Sequence, residues 1–251
     1  MKNKIGIKSY KSDSEHNVDE AIFEAFRNTP IPNDQLLENL GIFISSKDFS
    51  RLLFMHHIYQ KIIDVPGIIM DFGTRWGNNL ALFSTFRSMY EPFNRHRKII
   101  GFDTFTGFPE LHEKDGKSNL MATGNAATTL DYQAYLEHIM SLKEKQNPLS
   151  HIKKFELRTG DACVELPKFL DENPQTIIAL AYFDFDIYIP TLRCLEIIKD
   201  RLVKGSIIGF DELNDEDSPG ETLALMEVFG LRNIKLKRLP IASRTSYFTL
   251  E

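Results

Sequence analysis

The chain has 251 residues, of which 42% are hydrophobic and 26% are charged. This is ordinary usage for a globular protein, so global disorder is excluded, and the length suits one large domain or two small ones at roughly 150 residues each. With 30 Lys and Arg against 35 Asp and Glu, the net charge is −5, which disfavours general binding of nucleic-acid phosphates.

Cysteine usage and hydropathy exclude several further classes. Cys163 and Cys194 are the only cysteines, too few for a disulfide framework or a cysteine-based zinc site, and they favour a cytoplasmic location. The basic segment 1–8 lacks the apolar stretch of a secretory signal. The longest apolar run, 177–183, is far shorter than the roughly 20 residues of a membrane-spanning helix, so we expect no membrane association.

The N-terminal part of the chain predicts a helical extension. Residues 1–16 are polar and predict a loose arm, whereas apolar residues recur at helical spacing over 18–62. Pro30 and Pro32 divide the helical part in two. We therefore interpret 1–62 as an arm and helical extension preceding a domain at 63–251.

From residue 66 onward, short apolar runs alternate with helical patterns. The predicted helices are 78–90, 132–145, 164–170, 191–202 and 221–229. The predicted strands are 68–72, 98–103, 155–158, 177–185, 206–210, 234–238 and 246–250. This alternation predicts an α/β fold with a mostly parallel, seven-stranded sheet, closed by an antiparallel C-terminal edge hairpin. The polar segment 104–130 is long for a connection and predicts a lid, within an insertion at about 104–150.

Carboxylates follow five of the predicted strands. The residues concerned are Asp71, Asp103, Asp161, the pair Asp184 and Asp186, and the pair Asp211 and Glu212. Ligands of open α/β sheets bind outside the carboxyl ends of the strands. The sequence therefore predicts an acidic functional site at this edge of the sheet.

A glycine loop follows the first strand, with the spacing Gly73-x-x-x-Gly77 and the only tryptophan, Trp76, inside it. The dinucleotide fingerprint G-x-G-x-x-G is absent, and a plain strand-to-helix turn explains the loop equally well. Asp103 lies 30 residues after Gly73, against about 20 in nicotinamide enzymes. Asp103 is a candidate for binding a ribose diol, with a turn residue as the alternative.

Asp184, Asp186, Asp211 and Glu212 would repel one another unless a cation neutralised them. A hard divalent cation such as Mg²⁺ takes oxygen ligands and is one candidate. The alternative is a solvated acidic rim whose loop carboxylates pair with Lys or Arg side chains.

The chain resembles a known family, the class I S-adenosylmethionine-dependent methyltransferases, and within it the macrocin-type sugar O-methyltransferases. The matching segments are 66–79, 100–110, 184–191 and 201–212, and the likeness covers roughly residues 35–250. The stretches Asp-Thr-Phe-Thr-Gly-Phe-Pro-Glu at 103–110 and Asp-x-Asp-x-Tyr at 184–188 are fairly specific to the subfamily. The resemblance implies a Rossmann-like methyltransferase fold.

The resemblance also implies roles for individual residues. The implied cofactor-binding residues are Asp71, Gly73, Thr74, Gly77, Asn78, Asp103, Thr104, Phe105, Asp161, Ala162 and Asp184. Asp71, Gly73 and Gly77 would hold the methionine end, Asp103 the ribose and Asp161 the adenine. Asp184, Asp211 and Glu212 would hold Mg²⁺, and Asp186 would be the general base. The chain departs from the family at Asp211-Glu212, where two aspartates are usual, and at Asp161-Ala162, where aromatic residues are usual.

The resulting hypothesis is an S-adenosylmethionine- and Mg²⁺-dependent O-methyltransferase that acts on a sugar hydroxyl of a natural-product glycoside or polysaccharide precursor. The expected partner is a small-molecule or glycan acceptor with vicinal hydroxyls, without nucleic acid or membrane, and homo-oligomer formation is possible. One alternative is an NAD(P)- or nucleotide-sugar-dependent Rossmann enzyme. Another is a binding module that retains a cofactor pocket without chemistry.

Overall fold

The computed structural model describes residues 11–242 and 244–251. Its N-terminal extension contains α1 (Asp13–Arg27), a 3-10 turn at Leu37–Ile42 and α2 (Ser46–Gln60). Ser12 and Glu15 form a capping box at the start of α1, which makes residues 13–16 helical. The loose arm predicted for 1–16 is therefore wrong over its last four residues, and residues 1–10 lie outside the described residues.

The α/β prediction is confirmed. The strands are β1 (Ile68–Phe72), β2 (Ile99–Asp103), β3 (Phe155–Thr159), β4 (Ile178–Phe183), β5 (Leu202–Phe210) and β6 (Ser246–Thr249). The helices of this part are α3 (Asn78–Tyr90), α4 (Tyr132–Lys145), α5 (Ala162–Glu172), α6 (Tyr188–Ile198) and α7 (Gly220–Val228). In the described part of the chain, no helix has the length and apolarity needed to cross a bilayer.

Among the described residues, the sheet has six strands in the order β3-β2-β1-β4-β5-β6, and only β6 is antiparallel to its neighbour. The seventh strand predicted at 234–238 does not form, because within this segment only Lys237 makes a bridge, to Tyr247. A 3-10 turn at Leu231–Asn233 precedes the segment. Pro240 follows it and has no N–H group for a strand ladder. The C-terminal antiparallel pair is therefore β5 with β6.

Helices cover both faces of the sheet. The helices α2, α3 and α4 pack on one face, and α5, α6 and α7 pack on the other. Continuous apolar runs such as Ile178–Phe183 are buried along their whole length, as expected for parallel strands covered on both sides.

A row of stacked phenylalanine rings runs across the carboxyl ends of four strands. Phe72 stacks on Phe102 with ring centroids 5.0 Å apart and on Phe183 at 4.6 Å, and Phe183 stacks on Phe210 at 5.4 Å. The strand register places these residues side by side. The next residue in each strand or loop is Gly73, Asp103, Asp184 or Asp211. The candidate site residues therefore leave the sheet side by side, directly beyond the row of stacked rings.

Candidate active site

A cavity of about 720 Å³ lies outside the carboxyl ends of the strands. Its walls come from the loops after β1 to β5, from the segment 104–131 and from the N-terminal extension. The acidic residues at the strand ends predict a site at this edge of the sheet, and the topology brings the predicted segments together there.

The glycine loop brings β1 and β4 into close contact. Gly73 has φ +88°, and a Cβ atom at this position would lie 2.0 Å from the carbonyl oxygen of Asp184. Gly77, with φ +78°, begins α3, and a Cβ atom there would lie 2.3 Å from the Leu136 side chain. Gly73 requires glycine for space, because the atoms in the way belong to the backbone, and both positions favour glycine for their left-handed backbone conformation. The result is a narrow backbone cradle at the start of α3.

Asp103 faces this cradle from the end of β2. Its carboxylate oxygens accept hydrogen bonds from the backbone N–H groups of Arg75, at 2.7 Å, and Phe105, at 2.6 Å. Burial raises the pKa of Asp103, and these two bonds partly oppose the shift. Asp161 accepts from the N–H of Cys163 at 2.9 Å and caps α5. Both acids thus order a loop while they line the cavity.

Most of the predicted site residues line this cavity: Gly73, Thr74, Asn78, Asp103, Thr104, Asp161, Ala162, Asp184, Asp186, Asp211 and Glu212. Asp71, Gly77 and Phe105 do not. Phe105 packs against the core on the α2–α4 face, and Gly77 packs against Leu136. These residues lie behind the lining and support it.

Asp71 is fully buried behind the glycine loop. Its Oδ1 atom lies 3.4 Å from Asn79 Nδ2, and its Oδ2 atom has no hydrogen-bond partner among the described residues. Burial raises the pKa of Asp71 to about 7.

Two arginines neutralise the acidic cluster at the ends of β4 and β5. Arg51, on α2, donates to Asp184 at 2.6 Å and to Asp211. Arg244 pairs with Glu212 at 2.5 Å, and the Ser218 hydroxyl donates to the same carboxylate. Burial raises the pKa of Asp184 to about 7, and repulsion from Asp211 adds to the shift.

The predicted magnesium ligands are therefore engaged by other groups. The Arg51 guanidinium lies between Asp184 and Asp211, while Glu212 is bonded to Ser218 and Arg244. Over residues 11–242 and 244–251, no group of three His, Cys, Asp or Glu side chains has an arrangement that could hold a metal ion. In this structure Asp184, Asp211 and Glu212 pair with basic side chains, as in the alternative from the sequence, but Asp211 and Glu212 are buried and do not form a solvated rim.

Asp186 has no ion-pair or hydrogen-bond partner for its carboxylate among those found for the described residues, and its backbone is held by a second carboxylate. Glu221, at the start of α7, accepts the N–H groups of Phe185 at 2.9 Å and Asp186 at 3.2 Å. Asp186 has φ +62°, in the left-handed region that non-glycine residues rarely adopt. Burial, then repulsion from Asp184 and its acidic neighbours, raises the pKa of Asp186 well above its ordinary value.

The segment 104–131 contacts the same loop. Asp115 is buried and accepts the N–H of Tyr188, at 2.5 Å, at the start of α6. Together with Glu221 it satisfies three backbone donors between Phe185 and Tyr188. Burial also raises the pKa of Glu221 well above its ordinary value, and its Oε2 atom has no partner among the described residues.

Sequence reasoning missed Arg51, Arg244, Glu221 and Asp115. Arg51 is one polar residue among many in an amphipathic region, and nothing in its neighbours distinguishes it. Glu221 gave a weak signal, because it follows Pro219-Gly220 at a predicted helix start, where an acid is ordinarily explained by the helix dipole.

No family model matches the chain, and neither does any curated protein. Among solved structures, the chain is 39% identical to CalS11, described as a calicheamicin methyltransferase, over 96% of this chain and 94% of that chain, with a TM-score of 0.93. It is 37% identical to an apo structure of CalS11, described as a TDP-rhamnose 3′-O-methyltransferase in calicheamicin biosynthesis, over 96% of both chains, with a TM-score of 0.84. The O-methyltransferase NovP, at 17% identity over 80% of this chain and 79% of that chain, has a TM-score of 0.60 and a similar fold.

Proposed function

This chain belongs to the class I sugar O-methyltransferases, and we propose that it transfers the methyl group of S-adenosylmethionine to a hydroxyl group of a sugar. The observation that carries this proposal is the identity of 37–39% to CalS11 over 96% of the chain. Of the alternatives from the sequence analysis, a nicotinamide-dependent enzyme and a non-catalytic module are both less well supported than a methyltransferase.

The cavity offers groups suited to S-adenosylmethionine. Gly73 lets the loop after β1 pack closely against the Asp184 backbone, and the loop residues Gly73, Thr74 and Asn78 line the cavity. Asp103 and Asp161 reach the same cavity from β2 and from the start of α5. In the proposal, Asp103 accepts from the ribose hydroxyls, Asp161 lies near the adenine, and the glycine loop holds the methionine end.

Asp186 is the proposed general base. A carboxylate whose pKa is raised by burial takes up a proton more readily near neutral pH, and such a group typically contributes 10²- to 10⁴-fold. As the acceptor oxygen forms a bond to the methyl carbon, the bond from that carbon to sulfur breaks and the hydroxyl proton passes to Asp186. The products are a methyl ether and S-adenosylhomocysteine.

We further propose that Asp184, Asp211 and Glu212 hold a divalent cation such as Mg²⁺ when the acceptor is bound. The three side chains supply hard carboxylate oxygens, the ligand type that Mg²⁺ prefers, but other groups engage each of them in this structure. The cation would supply Lewis-acid activation of the acceptor hydroxyl. Arg51 and Arg244 supply the positive charge in this structure.

The proposed acceptor is a sugar with vicinal hydroxyls in natural-product or polysaccharide biosynthesis, either linked to a nucleotide or already part of a glycoside. The relative CalS11 is described as acting on TDP-rhamnose. Cytoplasmic location and self-association stay predictions from the sequence, and light scattering of the purified protein tests the second.

The test measures S-adenosylhomocysteine release with S-adenosylmethionine and either nucleotide-linked sugars or glycosides as acceptors. Calorimetric titration of S-adenosylmethionine, with NAD⁺ as the control ligand, tests the cofactor independently. We expect Asp186→Asn to bind S-adenosylmethionine as the wild type does and to lose about 10²- to 10⁴-fold in kcat. Binding of NAD⁺ alone would refute the proposal, and full turnover by Asp186→Asn would remove Asp186 as the base.

A further inference from the structure

The loop between β4 and α6 packs against the segment 104–131. Phe185 and Ile187 flank the proposed general base in this loop. They share a small apolar cluster with Phe108 and Leu120 of the segment, and these last two residues also line the cavity. One segment therefore forms a wall of the cavity and contacts both neighbours of the proposed base.

Asp115 connects the same segment to the start of α6. Its side chain is buried, with Oδ1 accepting the N–H of Tyr188 at 2.5 Å and Oδ2 accepting the N–H of His112 at 2.6 Å. Tyr188 is the first residue of α6, and the N-cap residue Ile187 has no polar side chain to satisfy the N–H groups of the first turn. A carboxylate 73 residues earlier in the chain therefore takes the place of a capping side chain.

The bond to Tyr188 holds one end of the loop that carries Asp186. Asp186 lies two residues before Tyr188 and has φ +62°, and Glu221 accepts the N–H groups on the other side of the loop. A non-glycine residue keeps a left-handed conformation only where its surroundings impose it. Loss of the bond from Asp115 should therefore let the loop relax and move the Asp186 carboxylate.

Asp115 is not among the described residues that line the cavity. Any effect of Asp115 on methyl transfer must therefore pass through other residues. The hydrogen bond to Tyr188 offers a direct route to the loop of Asp186, because only Ile187 separates the two residues.

We propose that Asp115 is a positioning residue for Asp186. By holding the start of α6 from the segment 104–131, it sets the orientation of the proposed base together with the placement of a cavity wall. This inference rests on the proposed function, in which Asp186 takes the proton of the acceptor hydroxyl. It predicts that Asp115 governs turnover and leaves cofactor binding unchanged.

The experiment measures kcat and KM for methyl transfer, together with calorimetric binding of S-adenosylmethionine, at a temperature at which circular dichroism shows that each protein is folded. The matched control is Lys114→Gln. Lys114 precedes Asp115 and contacts the same helix, but its Nζ atom donates to the Tyr188 hydroxyl at 2.9 Å and pairs with Glu227. The control therefore weakens the contact between the same two elements without releasing the N–H of Tyr188. The proteins compared are the wild type, Asp115→Ala, Asp115→Asn, Lys114→Gln, Asp186→Asn and the double variant of Asp115→Ala with Asp186→Asn.

We expect Asp115→Ala to lose about 10- to 100-fold in kcat while KM and the affinity for S-adenosylmethionine stay within about twofold, because a small misplacement of a reacting group is costly. Asp115→Asn keeps one accepting oxygen for Tyr188 and should lie between Asp115→Ala and the wild type. Lys114→Gln should stay within about twofold of the wild type in kcat.

The double variant distinguishes positioning of the base from a general structural role. If Asp115 acts through Asp186, adding Asp115→Ala to Asp186→Asn should lower kcat by less than about twofold, because the base is already absent. A further loss as large as that in the single variant would overturn the inference. An equal loss in Lys114→Gln would also overturn it. If Asp115→Ala does not fold, the same comparison is made with Asp115→Asn.

The same set of proteins separates this inference from the proposed function. Unchanged turnover in Asp115→Ala beside a large loss in Asp186→Asn would overturn the positioning role and leave Asp186 as the base. Full turnover in Asp186→Asn would refute the assignment of the base, and the positioning role with it. An absence of methyl transfer in the wild type would refute the proposed function itself.

Discussion

Two clusters in this protein each pair basic side chains with carboxylates, and they differ in their access to solvent. The closed cluster is Arg87, Glu144 and Lys154, and the open cluster is Arg51 with Asp184 and Asp211. In the closed cluster the side chains are 2–4% exposed. In the open cluster Arg51 is 30% exposed and Asp184 is 24% exposed.

Hydrogen bonding separates the two clusters further. In the closed cluster, Arg87 also donates to the carbonyl of Lys154, and the Lys154 ammonium donates to the carbonyls of Leu149 and Ile152. Around the open cluster, buried carboxylate oxygens of Asp71 and Glu221 have no partner among the described residues. Burial of charge alone therefore does not mark a functional site. Incomplete pairing beside an open cavity is the more informative signal.

The closed cluster should affect stability alone. Glu144→Gln leaves two buried cations without their carboxylate, and we expect the free energy of unfolding to fall by about 3–5 kcal/mol. The control Glu196→Gln breaks the exposed pair with Arg193 and should change it by less than about 1 kcal/mol. Urea unfolding measures both. Equal losses in the two variants would remove the distinction between buried and exposed pairs.

Beside the open cluster, Glu221 should affect turnover, because it is a positioning residue for Asp186. Glu221→Ala leaves two backbone N–H groups unpaired, so Asp186 is no longer held in its left-handed backbone conformation. We therefore expect kcat to fall about 10- to 100-fold at nearly constant KM. Glu221→Gln keeps an accepting oxygen and should restore most of the turnover. If Ala and Gln behave alike in kcat at equal thermal stability, Glu221 does not position Asp186.

Asp71, also near the open cluster, should make the free energy of unfolding depend on pH. The pKa of Asp71 is raised from 3.8 to about 7 by burial, so the folded state binds the proton more tightly than the unfolded state. Its contribution is complete below about pH 4 and is lost as the pH rises towards 7, at up to about 1.4 kcal/mol per pH unit. We expect Asp71→Asn to show a shallower fall in unfolding free energy between pH 5 and 7. An unchanged slope in urea unfolding of the cofactor-free protein would contradict this assignment.

The smallest expected effect is optical. Trp76 is the only tryptophan, is 43% exposed and packs edge-on against Tyr132 beside the cradle. Ligand in the cradle should change its exposure and shift its fluorescence, and titration with S-adenosylhomocysteine measures this. Trp76→Phe, which should lose the signal and keep calorimetric binding, is the control.

Much of the fold could be predicted because its signals are local. The helices Asn78–Tyr90 and Tyr132–Lys145 end where the sequence predicts, and five acidic strand ends lead to one edge. The strand predicted at 234–238 does not form, because alternating apolar and polar residues do not determine which strand a segment pairs with, and here a 3-10 turn and Pro240 limit it to one bridge.

The partners of the site acids could not be predicted, because they come from distant parts of the chain. The pairing of Arg51 with Asp184 and Asp211 depends on how α2 packs against the sheet. For the same reason the sequence could not show that Asp71 lies behind the cavity lining, since its strand position alone suits either side. The residue types at the strand ends therefore predict where the site lies, whereas the packing of distant segments determines which charged groups meet there.

The separation of 160 residues between Arg51 and Asp211 also has a consequence for the order of folding. At about 5–20 residues per second, a ribosome makes Asp211 roughly 8–32 s after Arg51. During that interval the guanidinium has no final partner, and the entropy lost on closing so long a loop delays the contact further. An N-terminal fragment that ends before Asp211 therefore cannot form this contact.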